Sequence, residues 1–165
     1  MLNAIDHVNL VVLDLPKMID FYTGVLGLRL TKRGVISGPW IDAVVGLAGV
    51  EAEFTYLDSP VPGPRVELIH YKHPAAPRPD GLGQSNTPGL RHLAFVVSDI
   101  ESLVASLGRC GVRFFSAVQS VPASQVQYAA EVRKFLVYFH DPEGNLLELC
   151  EYRTGDANGD SAGRG

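Results

Sequence analysis

The sequence predicts an α+β fold built from two βαβββ modules, and three observations carry that prediction. The chain repeats itself. Each copy runs strand, helix, then further strands in the same order. The composition, 46% hydrophobic and 19% charged over 165 residues, suits a domain or two small fused modules with a full core. The repeat is read most directly by setting Ile5-Asp6-His7-Val8-Asn9-Leu10-Val11-Val12-Leu13-Asp14 above Leu90-Arg91-His92-Leu93-Ala94-Phe95-Val96-Val97-Ser98-Asp99, an offset of 85 residues. Gly27-Leu28-Arg29-Leu30 then matches Gly111-Val112-Arg113-Phe114 at 84. Val66-Glu67-Leu68-Ile69 matches Leu147-Glu148-Leu149-Cys150 at 81. Three matches in one order with a slowly drifting offset indicate a duplication.

The first module, residues 1–74, opens with an alternating, β-branched strand over 4–13. A helix follows, with Pro16 in its first turn and Leu15, Met18, Ile19, Tyr22, Val25 and Leu26 at helical spacing. Gly27 ends it. Strands are expected at 28–33, 51–58 and 65–71, with a crossing segment between the first two. Residues 75–89, rich in Pro, Gly, Asn and Ser, form a linker. The second module, 90–153, repeats the plan with a strand at 90–97, a helix at 99–109, and strands near 112–117, 135–140 and 145–152. Asp141-Pro142-Glu143-Gly144-Asn145 makes a tight turn before the last strand. The stretch 118–134 exceeds a hairpin loop and suits a binding loop. The tail, 154–165, carries no apolar anchor and is expected to be disordered.

Several classes of function fall away. A formal net charge of -4 gives no electrostatic reason to expect nucleic acid or an anionic membrane as partner. No run of about 18 apolar residues exists to span a bilayer. The N-terminal residues lack the basic and apolar regions of a secretory signal, and the two cysteines form no CxxC, so a reduced cytoplasmic setting is expected. No GxSxG, P-loop or dinucleotide fingerprint occurs.

The candidate chemistry lies in four side chains. On alternating strands His7 shares a face with Asn9 and Val11, and His92 with Ala94 and Val96, leaving the opposite faces apolar. Glu67 and Glu148 stand in opposite phase to their apolar neighbours. A single strand histidine is commonly a hydrogen-bonded structural residue, and a single strand glutamate commonly faces solvent. Solvation gives no reason for both His to share one repeat position and both Glu another. A buried carboxylate or imidazolium needs a partner or a metal. Two His and two Glu related by the duplication suit one divalent ion, Zn, Ni, Co, Mn or Fe, with open positions for water or a substrate oxygen. His70, His73 and His140 have no repeat partner; Glu51 and Glu53 read as solvated groups or a supporting base; Tyr56, Tyr138 and Arg91 suit pocket or surface equally; the cysteines read as structural.

These residues resemble the vicinal oxygen chelate superfamily, which includes glyoxalase I, methylmalonyl-CoA epimerase, extradiol dioxygenases and the fosfomycin and bleomycin resistance proteins. The matching text is His7-Val8-Asn9-Leu10-Val11-Val12, Phe21-Tyr22-Thr23-Gly24-Val25-Leu26-Gly27-Leu28, Val66-Glu67-Leu68-Ile69, Leu90-Arg91-His92-Leu93-Ala94-Phe95-Val96-Val97 and Asp141-Pro142-Glu143-Gly144-Asn145-Leu146-Leu147-Glu148-Leu149. The resemblance implies an incomplete, cup-shaped β-barrel around a metal site, ligands at His7, Glu67, His92 and Glu148, a small-molecule carbonyl substrate and a homodimer. It further implies that Glu67 or Glu148 removes a proton alpha to a carbonyl while the metal stabilises the enediolate. Glu67 sets this chain apart from the drug-binding members, which lack the metal set, and from the dioxygenases, which need no carboxylate there. A metal-dependent epimerase or isomerase is the expected function. The alternatives are a lactoylglutathione lyase-like enzyme, an Fe(II) extradiol-type dioxygenase and a small-molecule-binding resistance protein. Lys32-Arg33, Ser37-Gly38-Pro39-Trp40-Ile41-Asp42 and Asn86-Thr87-Pro88-Gly89 are similar to cyclitol epimerases acting on 2-epi-5-epi-valiolone.

Overall fold

The computed structural model describes residues 1–129 and 131–154. The expected disorder of the tail falls on residues outside this range, except Thr154. The described residues form two compact units: Met1–Gly81 with Asp141–Gly144, and one that runs from Leu82 to His140 and resumes at Asn145.

In the first unit, β1 (His7–Val11) leads through helix α1 (Leu15–Asp20) to β2 (Arg29–Ser37), helix α2 (Pro39–Val45), β3 (Glu51–Asp58) and β4 (Arg65–His73). Asp14 caps α1 by accepting the Lys17 backbone N–H, and Pro16 occupies the first turn, where its missing N–H costs nothing. The helix does not end at Asp20; it widens into a π-turn over Phe21–Val25, with Leu26 N–H reaching the Phe21 carbonyl. Gly27, at φ +77°, stops it. The strands order as β1-β4-β3-β2, with β1 parallel to β4 and the other pairs antiparallel. Leu15, Met18 and Tyr22 of the helix are buried with Leu57, Val66 and Leu68, the inward phase of β3 and β4.

The opposite face of the same sheet carries a second cluster. Ile41 of α2 packs with Val50, Ala52 and Ile69, with Ile36, Val45, Phe54 and Tyr71 around it. By sequence this stretch reads only as a crossing segment. It folds as a helix because Asp42 spans the exit, its carboxylate accepting the Gly49 and Val50 backbone N–H groups, while Gly46 at φ +69° supplies the left-handed stop.

The second unit repeats the topology. β5 (His92–Val96), α3 (Ile100–Arg109), β6 (Gln119–Ser120), β7 (Val132–His140) and β8 (Leu146–Thr154) give the order β5-β8-β7-β6, again with one parallel pair. The equivalence extends to register: Asn9 stands opposite Glu67 on β1 and β4, and Ala94 opposite Glu148 on β5 and β8. Neither sheet closes on itself, which matches an incomplete barrel rather than a sealed one.

One expected strand, 112–117, is absent. Phe114 bridges Phe139, but β6 begins with Gln119 opposite Leu136, so the register slips by two residues between these pairs. Phe115 places its ring on His140 while Phe114 packs on Phe139, and the ladder is interrupted where these successive rings part. Among the described residues no helix is long and apolar enough to cross a membrane.

Candidate functional site

In the first unit, β1 and β4 set the geometry. His7 and Glu67 lie two pairs apart diagonally across a parallel ladder, both on the face away from α1. His7 Nε2 stands 3.3 Å from Glu67 Oε2. The other ring nitrogen, Nδ1, donates to Asp6 at 2.7 Å, and Asp6 is paired in turn with Arg65. The His7 hydrogen bond, then Arg65, hold the Asp6 carboxyl below the usual carboxylate range. With its one proton committed to Asp6, a neutral His7 ring presents a lone pair to a carboxylate oxygen. Two acceptors at that distance repel unless a proton or a cation lies between them.

Glu67 has two further neighbours. Asn9 donates its side-chain amide to Oε2 at 2.7 Å. Tyr56 stands directly opposite Glu67 on β3 and packs edge-on against the His7 ring at 5.6 Å. Burial, then the negative charge of Glu67, push the Tyr56 hydroxyl up, so it stays a protonated donor. The Arg65 guanidinium lies over the outer part of this cluster, 4.2 Å from the Tyr56 ring centroid.

The second unit builds the same cluster. His92 Nε2 stands 3.2 Å from Glu148 Oε2. Tyr138 lies directly opposite Glu148 on β7 and tilts over the His92 ring at 5.1 Å. Glu148 is the more enclosed carboxylate, with its side chain 3% exposed against 14% for Glu67. Its second oxygen, Oε1, makes no well-aligned hydrogen bond but lies 2.6 Å from the Lys134 ammonium. Burial alone would push the Lys134 ammonium down; the adjoining Glu148 carboxylate outweighs it, and the lysine is raised above its ordinary value.

The four expected ligands therefore appear as two His–Glu pairs, one in each unit. Among the described residues no three His, Cys, Asp or Glu side chains gather into one group that could hold a metal. Each pair has the spacing of two donors on one ion. Two donors each roughly 2.1 Å from one ion lie about 3.0 to 3.4 Å apart at octahedral to tetrahedral angles. The observed 3.3 and 3.2 Å separations match that edge.

Tyr56 and Tyr138, which by sequence suit pocket or surface equally, both stand in the site. The offset between them is 82, beside the 81 of the glutamates, and it places each phenol against the equivalent carboxylate. The other candidates go elsewhere. His70 turns to the opposite face and donates Nδ1 to the Val12 carbonyl, as a structural residue would. His140 donates Nε2 to the Gly83 carbonyl. Glu53 pairs with Lys72, whose ammonium holds its carboxyl below the usual range, and Glu51 is exposed opposite His73. Arg91 reaches the Leu82 carbonyl. Cys110 is exposed and Cys150 buried, both as free thiols; burial pushes the Cys150 thiol up, away from reactivity.

Comparison with known proteins supports the same assignment of fold. Over 150 residues the chain is 25% identical to the uncharacterized protein YaeR of Escherichia coli, covering 91% of this chain and 97% of that protein. It is 26% identical over 157 residues to the virulence protein STM3117 of Salmonella typhimurium, covering 92% and 85%. A solved glyoxalase family protein from Bacillus cereus superposes with a TM-score of 0.76 at 29% identity, covering 92% of this chain and 95% of that one. Residues 4–149 match the model of the Glyoxalase/Bleomycin resistance protein/Dioxygenase superfamily. That span takes in both His–Glu pairs and all eight strands up to the middle of β8, and the chain belongs to this superfamily.

Proposed function

We propose that the chain is a metal-dependent isomerase or epimerase that takes a proton from the carbon alpha to a carbonyl and returns it. The observation that carries this reading is the twin pair: His7 with Glu67 and His92 with Glu148, at 3.3 and 3.2 Å, from equivalent strand positions of the two modules. In this reading the four residues are the ligands of one divalent ion. When bound, such an ion would polarise the carbonyl oxygen and stabilise the negative charge that develops on it.

The protein's own groups do the rest. Asp6 fixes the His7 ring so that Nε2 faces inward. Tyr56 and Tyr138 stand directly opposite the two carboxylates as protonated phenols. Glu67 or Glu148 accepts the proton as the C–H bond breaks, that proton exchanges with solvent, and a carboxylate, the same one or the other, then delivers a solvent-derived proton to carbon. One carboxylate acting alone gives isomerisation; two acting from opposite faces give epimerisation. Val11 and Val96, on the same strand faces as the two histidines, are exposed and would meet the apolar part of a ligand.

The test pairs metal analysis with solvent exchange. Protein purified without chelators is offered α-hydroxy ketones, among them a cyclitol ketone, and acyl thioesters in D₂O. Deuterium should appear at the carbon alpha to the carbonyl of an active substrate, and Glu67→Gln or Glu148→Gln should reduce its appearance at least about 100-fold, the scale of a lost general base. Turnover without any deuterium at that carbon would sink the proposal, and oxygen uptake with an Fe(II) requirement would replace it with a dioxygenase.

A further inference from the structure

The duplication makes the two half-sites comparable residue by residue, and they differ in one charge. In the first unit the extra donor to the carboxylate is the neutral amide of Asn9, on β1. The equivalent position on β5 is Ala94, which has no donor. In the second unit the extra donor is the Lys134 ammonium, on β7, 2.6 Å from Glu148. Counting back four residues from Tyr56, as Lys134 lies back from Tyr138, the equivalent position on β3 is Ala52, which is fully buried in the apolar cluster beneath α2. The donor has thus moved from one flanking strand to the other and gained a full positive charge.

Lys134 is not a surface lysine that happens to swing inward. Its side chain is only 16% exposed, against 53% for Lys72, and its ammonium lies 5.9 Å from the Tyr152 ring centroid. It leaves Glu148 Oε2 to His92 and occupies Oε1 alone. A cation on the far oxygen of a ligating carboxylate has two opposed effects. It orients the carboxylate, and it repels any divalent ion that the carboxylate binds. A neutral donor, as Asn9 is to Glu67, orients a carboxylate as well, so the repulsion is the part that the Lys134 charge adds. The same positive charge attracts an anionic oxygen arriving at the half-site.

We propose that Lys134 sets the charge of the second half-site, weakening the hold of His92 and Glu148 on a divalent cation and strengthening the site's hold on an oxyanion ligand such as a carboxylate or enolate. This rests on the metal reading above. It makes Lys134 a positioning residue that acts through Glu148, and it narrows the ligand class to molecules that are, or become, anionic at the oxygen the site receives.

Opposite signs make the test specific. The full chain is titrated with Co(II), and the Co(II)-saturated protein is then titrated with oxalate as the oxyanion probe. Lys134→Met should bind Co(II) about tenfold more tightly and oxalate about tenfold more weakly than the wild type. Lys134→Gln, which keeps a donor without the charge, should follow Lys134→Met. Lys134→Arg should stay within about threefold of the wild type in both titrations. Damage to the fold lowers both affinities together, so it cannot imitate this pattern. Unchanged or weaker Co(II) binding in Lys134→Met, or unchanged oxalate binding, overturns the assignment while leaving the metal reading in place. Failure of the wild type to bind Co(II), Ni(II) or Zn(II) in stoichiometric amount overturns the metal reading and this inference with it.

Discussion

At the scale of single residues, the duplication separates what a position needs from what it happens to carry. His7 and His92, Glu67 and Glu148, and Tyr56 and Tyr138 are preserved between the two modules in type and in contact. The histidines and glutamates were legible in the sequence because each sits in a strand motif that visibly repeats. The tyrosines were not, because the residues around them differ: Thr55 and Leu57 flank one, Val137 and Phe139 the other. Only the strand register shows that both phenols stand opposite a glutamate. A neutral donor to a ligating carboxylate orients it without adding charge, and losing such a partner typically costs about 10- to 100-fold in metal affinity or activity. Tyr138→Phe keeps the ring against His92 and removes only the hydroxyl. Its Co(II) affinity should fall about tenfold, in the sense opposite to Lys134→Met. Equal affinity in the variant and the wild type would show that the phenol has no part in holding Glu148.

At the scale of elements, helix entry is managed by carboxylates that reach in from elsewhere in the chain. Asp14 and Asp99 are the local caps, and both belong to the repeat that the sequence displays. Behind them stand Glu143, which accepts from the Leu13 and Asp14 N–H groups, and Glu151, which accepts from those of Asp99 and Ile100. These distant partners are not legible in sequence, because they come from a turn and from a strand rather than from the helix itself. Short elements were hidden for a related reason. Helix α2 has seven residues, too few for a period to register, and is held by Asp42 beyond its own last turn. Glu151 yields a pH prediction. Arg153, and then the Ile100 N–H, lower its carboxyl from 4.5 to about 2. A carboxyl depressed on folding contributes stability that is fully present above its unfolded value near 4.5 and is lost as pH falls toward its folded value of about 2. Glu151→Gln should therefore melt at a lower temperature than the wild type at pH 7. The gap between the two proteins should close as pH falls from about 4.5 to about 2. A gap that is constant across that range would mean the ionised carboxylate contributes nothing to α3.

At the scale of the whole molecule, the two units share one piece of chain. Residues Asp141–Gly144 join β7 to β8 of the second unit, yet they are counted with the first by their contacts. The turn itself was legible from its Asp-Pro-Glu-Gly-Asn text, and Gly144 takes the φ of +80° that such a turn requires. Its destination was not legible, because nothing local in the turn names Tyr22 as a partner. The Tyr22 side chain is fully buried in the π-turn after α1, and its hydroxyl donates to Asp141, itself only 4% exposed, at 3.1 Å. Burial, and then the Asp141 charge, push that phenol well above its ordinary value, so it remains the donor. Removing it with Tyr22→Phe strips a buried carboxylate of a hydrogen bond, at a cost of about 1 to 3 kcal/mol. Because the acceptor belongs to the β7–β8 connection, that cost should fall on both units. Trp40, in α2, reports the first unit by fluorescence, while far-UV circular dichroism reports both sheets. In urea the wild type should show one midpoint by both probes, and Tyr22→Phe should lower the two together. A variant in which the Trp40 transition moves while the dichroism splits into two steps would show that the shared turn does not couple the folding of the units.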